Sequence, residues 1–189
     1  MNMKKKTIIA ALALCALSVS CKKTDVDEKS DALIEAAMKK NTKKVARLIK
    51  AGADVNAQTK YGYTALMYAA DRNAVDAVRL LLAAEADVNA TDDSDTTALI
   101  CTAMNNATDV AKLLIAAGAD VNARSDTGWT TLMWAAHTNS VDVVKLLIAA
   151  GADVNAKDKR GAPVLRYAEE NDATDVIELL KAAGAETEK

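Results

Sequence analysis

Few side chains of this chain could carry out chemistry, and their spacing argues against it. His137 is the only histidine. No Ser or Cys stands at a recognisable nucleophile spacing from it, and a lone histidine is far more often a solvated side chain than a general base. Cys101 could be a redox-sensitive thiol, but nothing basic in its column of the pattern described below would lower its pKa. Cys15 and Cys21 belong to the N-terminal segment read below, and one histidine with the remaining Cys101 cannot supply four zinc ligands. The run Asp92-Asp93-Ser94-Asp95 gathers carboxylates, yet it lacks the spacing and the distal Glu of a calcium loop. No glycine-rich phosphate loop occurs. The chain is therefore expected to be no enzyme and to need no cofactor and no metal, with an unrecognised site around His137 and Cys101 as the enzymatic alternative.

Composition narrows the rest. Charged residues make up 26% of the chain, with a formal net charge of −2 and no basic stripe, which disfavours nucleic acid as a partner. There is no Phe and a single Pro, while Ala and Leu abound, so helices are favoured over a sandwich or barrel.

The elements that hold these residues follow from a repeat. Asp54-Val55-Asn56-Ala57 recurs at Asp87, Asp120 and Asp153, each 33 residues after the last. Leu33, Leu66, Leu99, Leu132 and Leu165 share one column, and Leu48, Leu81, Leu114, Leu147 and Leu180 share another. Within 58–90, Thr64 can cap a short first helix whose apolar face is Leu66, Ala69 and Ala70. Asn73 suits a left-handed turn, and a second, more apolar helix runs from about Val75 to Ala84 with Asp76 near its positive end. One helix pair cannot bury its faces alone, whereas stacked pairs can, so the spacing predicts an all-α solenoid. Arg47 and Lys181 stand where inner repeats place apolar residues, as expected of capping repeats.

Thr64-Ala65-Leu66-Met67 and the run from Val144 to Asn155 resemble the ankyrin repeat family, and the resemblance covers roughly residues 30–186. It implies five helix-turn-helix repeats with hairpin tips, at 30–57, 58–90, 91–123, 124–156 and 157–186, followed by a tail at 187–189. It also implies a concave surface, built from the tips and first helices, that binds other proteins. Carried over column by column, that surface offers Tyr61, Tyr63, Tyr68, Arg72, Trp129, Trp134, His137 and Arg160. The same columns include Asp93, Cys101, Lys159 and Tyr167. All the aromatic residues of the chain fall in this set, and such residues are enriched at binding hot spots. Tyr68, Trp134 and Tyr167 share a column and could instead fill gaps between first helices. Glu85 and Asp95 replace glycines of their columns, which marks 85–96 as the expected soft junction of the stack.

Ahead of the repeats, Lys4, Lys5 and Lys6 precede an apolar run from Ile8 to Leu17, and Ser18 and Ser20 precede Cys21. This reads as a secretion signal over 1–20. Its end resembles a bacterial lipoprotein signal, which implies a lipid anchor on Cys21, a charged tether over 21–29, and a periplasm-facing envelope location. The departure is Ser18, where that pattern prefers Leu, and cleavage to a soluble periplasmic or secreted form is the alternative. The expectation is a monomeric scaffold whose partner is another protein, inhibited, protected or localised by it, touching the membrane through the lipid only. A structural spacer without a discrete hot spot is the competing reading.

Overall fold

The computed structural model describes residues 25–186, and ten helices lie among them. In chain order they are α1 (Asp25–Met38), α2 (Thr42–Lys50), α3 (Ala65–Asp71), α4 (Val75–Ala83), α5 (Ala98–Met104), α6 (Thr108–Ala116), α7 (Thr131–His137), α8 (Val141–Ala149), α9 (Val164–Glu169) and α10 (Thr174–Ala182). Odd-numbered helices stack in one row and even-numbered helices in a second, giving an all-α solenoid of antiparallel pairs. Helix α1 takes in residues 25–29 of the stretch expected to be a tether. Cys21 and residues 1–20 lie outside the described residues.

The two leucine columns are the core. Leu33, Leu66, Leu99, Leu132 and Leu165 are buried on the first helices; Leu81, Leu114, Leu147 and Leu180 are fully buried on the second. Small residues such as Ala69, Ala70, Ala135 and Ala136 are buried beside them, which lets neighbouring first helices approach closely. Arg47 and Lys181 face solvent in the terminal repeats.

Helix ends are set by repeated local chemistry. The Thr64, Thr97 and Thr130 hydroxyls accept from the backbone N–H three residues on, capping α3, α5 and α7. Pro163 fills that column before α9 and offers no such cap. The first helix of each pair ends on a left-handed residue, Asn73 at φ 52° in α3, with the next N–H, that of Ala74, returning to the Ala69 carbonyl. Second helices end the same way, on Gly118 and Gly151 but on Glu85 at φ 63°.

A side-chain ladder joins the repeats. Asn56, Asn89, Asn122 and Asn155 each accept, through Oδ1, the backbone N–H of Asp87, Asp120, Asp153 and Glu186 in the following repeat, at 2.7–2.8 Å. Their amide nitrogens donate to the carbonyls of Glu85, Gly118, Gly151 and Gly184. Within the first repeat, which has no repeat before it, the Ser30 hydroxyl accepts from Asp54 N–H at 3.0 Å in place of an asparagine.

Candidate protein-binding surface

Repeats two to five each project a hairpin ahead of the first helix, closed by a bridge such as Gln58 with Thr64 or Arg124 with Thr130. A polar side chain holds the turn from inside. Thr59 accepts from Tyr61 and Tyr63, Asp92 from Ser94 and Thr96, and Asp158 from Arg160 and Ala162. In the remaining repeat Ser125 accepts from Trp129 N–H. Adjacent tips are then zipped along one edge. Asp93 N–H donates to the Tyr61 carbonyl, Asp126 N–H to that of Ser94, and Lys159 N–H to that of Thr127, at 2.8–3.2 Å.

This bonding gives the acidic run a structural task. Asp92 is buried and spends Oδ1 on its own turn, so it is no open cation ligand. Among the described residues no group of three His, Cys, Asp or Glu side chains is placed to hold a metal ion.

The tips and first helices gather aromatic rings in two groups. In the second repeat Tyr63 and Tyr68 lie 5.2 Å apart, centroid to centroid. Tyr61 is 60% exposed with the Lys60 ammonium 4.6 Å above its ring. Arg72 is exposed and paired with its neighbour Asp71 at 3.3 Å. Burial is the main cause that raises the Tyr63 phenol above its ordinary pKa, with the neighbouring Cys101 and Asp92 adding to it.

The larger group sits across repeats four and five. Trp129 packs 4.5 Å from Trp134, 4.2 Å from Tyr167 and 5.6 Å from His137. Trp129 thus has three ring neighbours. The reason is Ala162, which occupies the Trp129 column in the next repeat and leaves room for the indole to lean onto Tyr167. His137 is exposed, meets both indoles edge-on, and accepts at Nδ1 from the Asn171 amide at 2.9 Å. The Trp134 indole N–H is buried without a hydrogen-bond partner, so stacking sets the ring's orientation. Thr127, Trp129, Trp134, Lys159 and Arg160 line an open groove of about 500 Å³.

Two residues of the surface columns are not on the surface. Cys101 is 4% exposed, and burial, with Asp71 and Asp92 nearby, pushes its thiol up to about 12, so little of it is thiolate at neutral pH. Tyr167 is 3% exposed, and its hydroxyl donates to Asp158 Oδ2 at 2.7 Å. Burial alone would raise the Asp158 carboxyl. Hydrogen bonds from Tyr167, Ala162 and Arg160 outweigh that and hold it at about 2. Arg160 completes the arrangement, with Nε 3.2 Å from Asp158 Oδ2 and Nη2 donating to the Tyr167 hydroxyl at 3.4 Å. Nothing in the repeat columns signalled this clamp, because Thr59, Asp92 and Ser125 hold the equivalent turns without a tyrosine from the helix that follows.

The model of a repeat family described as ankyrin repeats (3 copies) matches residues 3–92 and 99–189, nearly the whole chain. The chain belongs to the ankyrin repeat family. Ankyrin repeat proteins are non-catalytic scaffolds for protein–protein interaction, and that general role applies here. Among individual proteins, the chain is 46% identical over 65 residues to a human mitochondrial disaggregase, covering 32% of this chain and 9% of that protein. It is 49% identical over 55 residues to the bovine mitochondrial disaggregase, covering 29% of this chain and 8% of that protein. The chain thus spans less than a tenth of the length of these relatives.

These likenesses correct one set of expectations. The relatives are mammalian mitochondrial proteins, a finding that overturns the bacterial lipoprotein-like secretion signal read over 1–20. The lipid anchor on Cys21, membrane attachment through it, and a periplasmic, envelope or secreted location fall with that signal. Among the described residues no helix is long and apolar enough to cross a membrane.

Proposed function

We propose that this ankyrin solenoid binds a protein partner on its concave face, with the Trp129–Trp134 groove as the main anchor. The observation carrying this reading is the half-buried aromatic cluster that borders the groove. Two indoles edge a groove of about 500 Å³, held by stacking on Tyr167 and His137 and flanked by two cations. An anchor fixed before binding loses little conformational freedom on association, which favours affinity. Tyr61, Tyr63, Tyr68 and Arg72 form a second contact zone two repeats away. Between the zones repeat three presents Thr96 and the buried Cys101 in the same columns, so the partner spans a shallow stretch between two aromatic ends.

The test uses the full chain as bait, with Trp129→Ala beside it and Arg79→Ala on the second-helix face as a control. The partner should be retained by the parent and the control. Weakening by Trp129→Ala of about 2 kcal/mol is expected for an aromatic hot spot. Equal retention by all three proteins would move the contact off this face and favour a spacer role.

A further inference from the structure

The hairpin tips differ in charge along the stack, and the aromatic groove lies where the sign changes. On one side the tips of repeats three and four present Asp93, Asp95 and Asp126, all exposed and without an ion pair among the described residues. On the other side the tip of repeat five presents Lys159, likewise without an ion pair, and Arg160. The Arg160 side chain is 77% exposed although anchored on Asp158 and Tyr167, which leaves donors directed to solvent. The backbone bonds from Asp126 to Ser94 and from Lys159 to Thr127 fix the order of these tips. Acid, indole and base therefore follow one another in a set sequence across three repeats.

We infer that the groove takes an extended peptide segment of matching order: a basic residue over Asp93 and Asp95, a large apolar side chain against Trp129 and Trp134, and an acidic residue at Lys159 and Arg160. This rests on the concave-face reading above. Complementary charges at a rim fix register and direction more than they add affinity, and that is the task left to these residues once the apolar anchor is seated. A nucleic acid could stack a base on the indoles, but its phosphates would meet the three carboxylates before they reached the two cations, so the charge order favours a polypeptide.

The full chain should be used to select from a displayed random peptide library. The enriched peptides should carry a large apolar residue with Lys or Arg on one side and Asp or Glu on the other. The chain's two tryptophans both line the groove, so intrinsic fluorescence reports binding of a synthetic consensus peptide directly. Reversing the charges of that peptide should weaken binding about tenfold. The double variant Asp93→Lys with Lys159→Glu alters two exposed side chains that make no side-chain bond among the described residues, and it should prefer the reversed peptide. Enriched peptides without charge order, no enrichment, equal binding of both orders, or displacement by a single-stranded oligonucleotide at equal concentration would overturn the inference. Peptides that are lost with Trp129→Ala yet show no charge order would leave the concave face as the binding face. Partner capture unaffected by Trp129→Ala would remove the face itself.

Discussion

The Tyr167 hydroxyl donates to Asp158 Oδ2 across 2.7 Å, tying helix α9 to the hairpin that precedes it. Repeat five needs such a tie. In the three repeats before it a threonine hydroxyl caps the first helix from the hairpin strand, and here Pro163 takes that place without a cap. Tyr167→Phe keeps the ring beneath Trp129 and removes the donor to Asp158 together with the acceptor for Arg160, and it should cost about 1.5–3 kcal/mol, the range for a hydrogen bond to a charged group. The midpoint of urea unfolding measures it. The Asp158 carboxyl sits at about 2, below the range of an unfolded aspartate. Its contribution is therefore full above about pH 4 and is lost as pH falls toward about 2. Asp158→Asn should flatten that acid limb of the stability profile.

The asparagine ladder predicts a second set of effects. Asn122→Ala removes an acceptor for Asp153 N–H and a donor to the Gly151 carbonyl. These groups are partly reached by water, so the loss should be about 1 kcal/mol rather than the larger penalty of a buried orphan. Asn89→Ala should match it, since its bonds are the same one repeat earlier. A null effect in both would show that the rungs exchange freely with water.

Two glycines of one column should respond differently to substitution. A Cβ at Gly62 would lie 2.7 Å from Asp92 Cα, whereas at Gly161 nothing stands within 4 Å. Both have φ near 80°, so both alanine variants pay the left-handed strain of about 1 kcal/mol. Gly62→Ala should lose at least about 1 kcal/mol more, because backbone must shift at the contact with repeat three. Thermal unfolding of the two variants decides it.

Glu85 and Asp95 adopt φ 63° and 57°, in columns where other repeats carry glycine. Glu85→Gly and Asp95→Gly should each stabilise the chain by about 0.5–1 kcal/mol. Amide hydrogen exchange should be faster over 85–96 than in the neighbouring hairpins and should slow in the double variant. Equal exchange across all hairpins would place the weakest junction elsewhere.

Much of this was legible because the 33-residue beat fixes which residues are equivalent. The leucine columns, the threonine caps, the left-handed Asn73 and the charged ends Arg47 and Lys181 all follow from position in the period. What escaped depends on pairs from adjacent repeats or adjacent elements. Trp129 finds Tyr167 because Ala162 is small, and Tyr167 sinks because Asp158 offers its hydroxyl an acceptor. Column membership gave Trp129 the same standing as the exposed Tyr61, and for Tyr167 it left the surface and gap-filling readings both open. Cys101 is hidden for a related reason: its side chain is the smallest of its column, and Tyr63, Asp92 and Asp71 lie close around it. The N-terminal reading failed differently. Charge and hydropathy can signal that a segment is addressed somewhere, but they do not encode the destination unambiguously.

The asparagine rungs also constrain how such a chain can change its length. Every junction from Asn56 onward presents the same acceptor and donor to whatever follows, and every following turn presents the same N–H and carbonyl in return. A duplication or loss of one full period would find matching partners on both sides of the seam, while any other length would leave them facing strangers. The molecule can thus be lengthened or shortened like a measuring rod cut only at its marks, gaining or losing reach without disturbing the register of what remains.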